Sequence, residues 1–484
     1  MAADGSATDH QLDQATVLPD ALPGAQAGWT VTAGRRRVKS ALFLGVCGAA
    51  GFGPHWLPPE LRLAPAITLA LVLGAYSART VLRPALARAS APTTANAAAS
   101  APSPADLPAA DVSATDVPAV DVVVAARDEQ AVITRLVERI AGLRYPADRL
   151  QLWVIDDASS DRTPQLLAAL QQRHPFLRVL RREPGAGGGK SGALNLALQQ
   201  LQAPWMLVLD ADADLQPDTL ERLLPQAMAA GCGAVQLRKA VANAGSNWLT
   251  RAQAMEMALD AVVQEGRLAS GGVAELRGNG QLLRREALLA AGGFNEDTVT
   301  DDLDLSFRLL LSGAPIGILW NPPVREEAVL TLAALWRQRQ RWAEGGLQRF
   351  FDYAGGLLSG RLNGAQKLDL ACFFLLQYML PVVAVADLLG ALASGTLPTI
   401  WPLSFVAFGL SGVSILLGCR RSSEGPALPA MQPLNLLLGI VYLGHWFLVI
   451  PYTTVRMALL PKRLVWAKTL HLGEEALGED PATA

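Results

Sequence analysis

Trp205-Met206-Leu207-Val208-Leu209-Asp210-Ala211-Asp212-Ala213-Asp214 is the stretch that decides how this chain is read. Five apolar residues are too few for a helix and the right length for a buried strand. The run stops on three carboxylates at alternate positions. An acidic group at the end of a buried strand is costly unless it is paired or bound to a cation. The pattern recurs upstream. Val120-Asp121-Val122-Val123-Val124-Ala125-Ala126 runs into Arg127-Asp128-Glu129, and Leu150-Gln151-Leu152-Trp153-Val154-Ile155 runs into Asp156-Asp157-Ala158-Ser159-Ser160-Asp161. A further strand is read at 177–180, and helices at 129–142, 163–173, 190–200 and after 209. Strands alternating with helices predict a mostly parallel, doubly wound sheet, which binds ligands outside the carboxyl ends of its strands. The acidic clusters fall at those ends.

Asp161 and Asp218 read equally well as helix caps. Asp156 and Asp210 do not, because each directly follows apolar strand residues. Carboxylates two apart, with little His or Cys nearby, suit a hard cation such as Mg²⁺ or Mn²⁺, whose remaining oxygens a diphosphate could supply. Gly185-Ala186-Gly187-Gly188-Gly189-Lys190-Ser191-Gly192 lacks the spacing of a nucleotide-triphosphate loop, yet its backbone and Lys190 can approach a phosphate or a sugar. Later, Gly292-Gly293-Phe294-Asn295-Glu296 leads into Thr300-Asp301-Asp302-Leu303-Asp304, an acidic helix start able to supply a general base. In Gln338-Arg339-Gln340-Arg341-Trp342, helical spacing puts Gln338, Arg341 and Trp342 on one face. An Arg there can hold a diphosphate and a Trp can stack on a sugar; the same helix also reads as a basic anchor beside a membrane.

The rest of the chain differs in kind. Of 484 residues, 51% are hydrophobic and 17% charged, with a mean hydropathy of +0.25, high for a wholly soluble enzyme. With 41 basic and 43 acidic residues, the charge balance argues against a nucleic-acid binder. Cys47, Cys232, Cys372 and Cys419 form neither a disulfide scaffold nor a metal pattern. Five stretches lack Asp, Glu, Lys and Arg: 40–59, 63–78, 370–386, 388–419 and 434–455. The expected organisation is a disordered tail (1–37), a transmembrane hairpin (38–84), a low-complexity linker (85–118), a catalytic domain with interfacial helices (119–363), C-terminal transmembrane helices (364–460) and a tail (461–484). The polar N-terminus is not expected to act as a secretory leader. Arg35-Arg36-Arg37-Val38-Lys39 places it in the cytoplasm by the positive-inside rule. Three C-terminal spans would leave Arg456, Lys462, Arg463 and Lys468 on the other side, against that rule. One apolar segment is therefore expected to lie in the interface, with 364–381 the candidate.

In order, Ala-Arg-Asp-Glu at 126–129, Asp-Asp-x-Ser-x-Asp at 156–161, Lys-Ser-Gly-Ala-Leu-Asn at 190–195, Asp-Ala-Asp at 210–212, Gly-Asn-Gly at 278–280, Gly-Gly-Phe at 292–294, Thr-Asp-Asp at 300–302 and Gln-Arg-Gln-Arg-Trp at 338–342 resemble the family 2 inverting glycosyltransferases. The likeness covers roughly half the chain. One departure is Asp301, where many relatives carry Glu. The resemblance implies a Rossmann-like GT-A nucleotide-sugar-binding fold. It implies that Arg127, Glu129, Asp156, Asp157, Lys190, Asp210 and Arg341 bind the nucleotide sugar, and that Asp210 and Asp212 hold Mg²⁺ or Mn²⁺. Asp302 would be the catalytic base, with Gly278, Asn279, Asp301, Gln338 and Trp342 toward the acceptor. Residues 341–353, the hairpin and the length are most similar to the branch that moves glucose from UDP-glucose to diacylglycerol. A processive β-glycan synthase is the alternative, and a membrane scaffold with a degenerate transferase domain the non-enzyme one. A multi-pass membrane protein with a cytoplasmic catalytic domain and no obligate protein partner is expected.

Overall fold

Four parallel strands form where the apolar runs predict them: β1 (Val120–Ala126), β2 (Leu150–Asp156), β3 (Leu177–Arg181) and β4 (Trp205–Leu209). Three more complete one sheet: β5 (Ala234–Val241), β6 (Gln281–Arg284) and β7 (Ile316–Glu326), in the order β3-β2-β1-β4-β6-β5-β7. β6 runs antiparallel to both of its neighbours, so the sheet is mixed but mostly parallel. The computed structural model describes residues 36–89, 117–422 and 432–461. The expected N-terminal tail up to residue 35, most of the linker and the C-terminal tail beyond 461 lie outside the described residues.

Sequence patterning did not find β5, the four-residue β6 or β7. In β5 the apolar run is broken by Gln236, Arg238 and Lys239, which line a cavity. In β7 it is broken by Pro322 and Pro323, residues that normally demote a strand.

The described helices are α1 (Arg36–Phe52), α2 (Ala64–Ala89), α3 (Ile133–Ala141), α4 (Thr163–Arg173), α5 (Gly189–Leu198), α6 (Thr219–Ala229), α7 (Trp248–Ala269), α8 (Arg285–Ala290), α9 (Asp301–Leu311), α10 (Leu332–Leu358), α11 (Gly364–Phe374), α12 (Leu380–Ser394), α13 (Trp401–Arg421), α14 (Pro433–Leu443) and α15 (Trp446–Leu459). Separate apolar cores lie on the two faces of the sheet. One packs Leu136, Ile140, Leu167 and Leu220 of α3, α4 and α6; the other packs Leu194, Leu198, Leu288 and Leu305 of α5, α8 and α9.

Among the described residues, four helical runs are long and apolar enough to cross a membrane: Pro59–Arg83, Gly364–Ser394, Trp401–Arg421 and Pro433–Leu459. α1 is not one of them; its 17 residues reach about 25 Å at 1.5 Å per residue. It runs beside α12, whose small residues admit it: a Cβ on Gly51 would lie 2.6 Å from that of Ala386. Residues 364–381, expected in the interface, belong to the continuous Gly364–Ser394 run.

Charged groups gather at one end of these helices. Arg36 and Arg456 both pair with Glu344 of α10, Lys39 reaches Asp352 at 3.3 Å, and Arg421 pairs with Glu265 of α7. Arg36 also donates to the Leu460 carbonyl at 3.1 Å. The start of α1 and the end of α15 therefore meet beside α10.

At the opposite end, fully buried Asp387 accepts hydrogen bonds from Thr399 N and Oγ1, Ile400 N and His55 Nε2 at 2.6–3.1 Å. This one carboxylate ties the N-terminal hairpin and the α12–α13 loop together. Asp387→Ala leaves those donors without their acceptor and is expected to cost about 3 kcal/mol. A lower Tm in detergent by scanning fluorimetry is the outcome to look for.

Candidate active site

The carboxyl ends of β1, β4 and β7 and the start of α9 converge on one cavity of about 510 Å³. Its polar end is lined by Arg127 and Glu129 after β1, Asp210 and Asp212 after β4, Lys190 on α5, Gly278, and Asp301 and Asp302 on α9. α10 adds Gln338, Arg341 and Trp342.

Local backbone explains how these groups arrive. Asp128 (φ 54°) and Ala158 (φ 55°) are the two described non-glycine residues with positive φ, on the loops after β1 and β2. Such strain persists where surrounding bonds impose it. Here Asp128 Oδ1 accepts from Ser160 N at 2.6 Å, and Asp128 N donates to Ser159 Oγ at 2.8 Å. α9 presents Asp301 and Asp302 to the cavity and turns Asp304 inward, where it accepts from Arg308 (2.7 Å), Tyr353 (2.8 Å) and Asn295 (2.9 Å). α10 approaches α9 closely because Gly345 faces Thr300, and a Cβ on Gly345 would overlap that side chain.

Gly278 brings its segment against Asp302. Its φ is 85°, and a Cβ there would lie 3.4 Å from Asp302 Oδ2. Buried Glu275 anchors the same segment among Arg267 (3.6 Å), Arg277 (3.0 Å) and Arg349 (3.2 Å). Burial alone would raise its carboxyl, but the three guanidiniums hold it at about 2.

Lys190 Nζ lies 2.6 Å from Asp210 Oδ1 and 3.4 Å from the Gly278 carbonyl. Burial disfavours its charge, yet Asp210, Asp301 and Asp302 more than compensate and raise its pKa. Asp302 moves the other way for a carboxyl. Burial and neighbouring Asp301 push it up to about 6, against the pull of the Leu303 N–H, Lys190 and Arg277. A carboxyl tuned near neutrality suits proton transfer. Arg127 and Arg341 make no hydrogen bond or ion pair among the described residues, which leaves two cations directed to the cavity.

Three expected binding residues lie behind this surface. Asp156 accepts from Ser159 N at 3.0 Å. Asp157 pairs with Arg182 at 2.6 Å, and Arg182 also holds the carbonyls of Gly187 and Gly189, so this pair shapes the glycine-rich loop that carries Lys190. Asn279, fully buried, accepts from Asp210 N at 3.1 Å and donates to Glu326 at 3.3 Å.

Sequence reasoning missed Lys239, Glu326 and Glu327, which also line the cavity. Glu326-Glu327 closes β7 as the other acidic pairs close their strands; the two prolines before it hid the signal.

The donor set fits a hard divalent ion. The cavity is rich in carboxylate oxygens, and neither Cys nor His lines it. Among the described residues no three His, Cys, Asp or Glu side chains form a protein-only cage. An ion on Asp210 and Asp212 would therefore complete its shell with water and a substrate diphosphate, the usual manner of Mg²⁺.

Away from the carboxylates the same cavity continues between membrane helices. Leu73, Gly74 and Ser77 of α2 face it, as do Val406, Leu410 and Ser411 of α13. Of the lining residues contributed by α2 and by α11 through α15, none is charged.

The chain matches the family described as glycosyltransferase like family 2 over residues 118–345. It is 48% identical over 355 residues to a β-monoglucosyldiacylglycerol synthase of Synechocystis sp., covering 72% of this chain and 74% of the relative. A synthase of the same name from Nostoc sp. is 45% identical over 356 residues, 73% and 76% of the two chains. Among solved structures, the mannosyltransferase PcManGT from Pyrobaculum calidifontis, in complex with GDP-Man and Mn²⁺, shares the fold. Its TM-score is 0.54 at 22% identity, covering 81% of this chain and 99% of that one.

The Asp302 environment has a measurable consequence. A general base works deprotonated, so activity that depends on Asp302 in that expected role is lost as pH falls through about 6. Below that point the rate is expected to drop about tenfold per pH unit, and to level off above it. A pH–rate profile between 4.5 and 8 reads this directly.

Proposed function

The chain belongs to glycosyltransferase family 2, and we propose on that footing that it transfers glucose from UDP-glucose to the free hydroxyl of 1,2-diacylglycerol, with inversion. The product is β-monoglucosyldiacylglycerol, a glycolipid precursor. The observation that carries this reading is the single cavity, with carboxylates and free arginines at one end and uncharged membrane-helix residues at the other. Such a cavity fits a lipid alcohol, whose hydroxyl must reach a base while its chains stay in hydrocarbon. A phosphate-bearing lipid would call for unpaired cations along the apolar half, whereas Arg267, 4.2 Å from the Phe373 ring, is paired with Asp369 and Glu275.

The chemistry is one displacement. Asp302 takes the proton from the glycerol hydroxyl as that oxygen bonds to the anomeric carbon. The bond from that carbon to the diphosphate breaks, and UDP leaves with the electron pair. Attack opposite the leaving group turns an α-linked donor into a β-glycoside. Arg127 and Arg341 bind the diphosphate, Lys190 places positive charge beside it, and Trp342 packs against the acceptor. A divalent ion on Asp210 and Asp212, Mg²⁺ or Mn²⁺, would offset charge developing on the departing UDP.

The basic ends of α1, α13 and α15 all lie against the catalytic domain. By the positive-inside rule this supports a cytoplasmic domain with the start of α1 and the end of α15 on its side. The segment that does not cross is then α14–α15. Its middle is hydrogen-bonded to α7 through Glu256, and its end is paired to α10 through Arg456. This replaces 364–381 as the interfacial candidate.

Purified protein in detergent with Mg²⁺, diacylglycerol and radiolabelled UDP-glucose is expected to give one labelled monohexosyl lipid on thin-layer chromatography. Asp302→Asn should lower its rate at least about a hundredfold. Label held at the origin as polymer would move the assignment to a processive β-glycan synthase, and undiminished transfer by Asp302→Asn would remove that residue as the base.

A further inference from the structure

Arg339 is among the largest fully buried side chains of the molecule. It lies inside the α10 motif, yet the resemblance gives it no role. Its guanidinium stands 4.0 Å over the Trp342 ring and 5.7 Å from that of Trp446. It pairs with Glu256 of α7, donates to Tyr442 Oη at 3.2 Å and to Gln338 Oε1 at 3.0 Å. Glu256 in turn accepts from Tyr442 Oη at 2.9 Å and from Trp446 Nε1 at 2.8 Å. Burial opposes the charge on Glu256, but Arg339 and these donors keep its carboxyl below the usual range. Trp342 has a second cation 5.6 Å from its ring, Lys239, itself held by Glu326 at 2.7 Å.

We propose that Arg339 is the positioning residue for Trp342, and that its network with Glu256, Tyr442 and Trp446 fastens the turn between α14 and α15 onto the acceptor end of the cavity. The reasoning is geometric. A tryptophan rotates about two side-chain bonds, and a planar cation on its face, fixed from three helices, removes that freedom. Trp446 and Glu256 line the same cavity as Trp342 and Gln338. The network thus joins the membrane segment that shapes the lipid passage to the side chain that meets the acceptor. Arg341, two residues along, has no such partners and stays directed to the donor. Arg339 therefore acts on acceptor binding and leaves donor binding alone. Lysine keeps the pair with Glu256 but loses the flat stack.

This inference rests on the lipid-acceptor reading, and the test separates the two. Full-length wild type, Arg339→Lys, Trp342→Phe and the double variant would be compared in detergent. UDP affinity would be taken by calorimetry, and KM and kcat with diacylglycerol. Arg339→Lys is expected to raise the diacylglycerol KM about tenfold, the order of a desolvated cation–π contact, with UDP affinity unchanged. Because Arg339 acts through Trp342, the double variant should be no worse than Trp342→Phe alone. Multiplying effects, or an equal loss of UDP affinity, would overturn the assignment. Should Arg339→Lys fail to fold, Tyr442→Phe leaves the ion pair and removes one anchor; a raised acceptor KM supports the network and an unchanged one refutes it. Wild type that takes another acceptor contradicts the functional reading alone, and the same cycle is then run with that acceptor.

Discussion

Four carboxylates, Asp210, Asp212, Asp301 and Asp302, face one cavity, and such a cluster is not stable without opposing charge. Lys190 supplies it from the first turn of α5. Its closest bond is to Asp210, and burial and Asp301 raise the Asp302 pKa against its pull. Much of the surrounding architecture exists to hold this arrangement. Asp157 and Arg182 shape the loop that delivers Lys190, Glu275 and its three arginines hold the segment that sets Gly278 beside Asp302, and Gly345 lets α10 close over the start of α9. The buried charges meet opposing charge, some in pairs such as Asp157 with Arg182 and some in clusters such as Glu275 with its arginines, as buried charge requires.

Sequence patterning was informative where one face of the chemistry dominated. The first four strands fall within a residue of their expected bounds: β1 and β4, buried along their whole length, read as near-continuous apolar runs, and the half-buried β2 and β3 as shorter apolar runs interrupted by polar residues. β5 escaped because half of it serves the cavity with Gln236 and Lys239, and β7 because its prolines mimic a loop. The site shows the same division. A carboxylate that closes a strand is visible in sequence, but the partner that consumes it is not. Asp210 and Asp212 face the cavity, while Asp156 and Asp157 turn to Ser159 and Arg182. Helical spacing singles out Arg341 with Gln338 and Trp342, but it gives no sign that Arg339, which lines the same cavity, is locked in a network with Glu256.

The membrane elements were legible as composition and not as arrangement. Hydropathy identifies apolar runs, and four of them are long enough to span. It does not reveal that α1 runs beside α12, that Arg36 and Arg456 share Glu344, or that α2 and α13 wall the far half of the catalytic cavity. These follow from small-residue contacts and from single polar groups such as Asp387, whose pairing partners are distant in sequence.

The proposed function depends on that shared cavity, in which the acceptor hydroxyl is proposed to reach Asp302 from between α2 and α13. Replacing Ser77 of α2 or Ser411 of α13 by tryptophan would fill the part of the cavity lined by these helices. The decisive measurement compares UDP affinity and lipid glucosylation in these two variants. Retained UDP affinity with lipid transfer reduced at least about tenfold is the predicted result. Lipid transfer at the wild-type rate in both variants would contradict the account, since the acceptor would then be entering by another route.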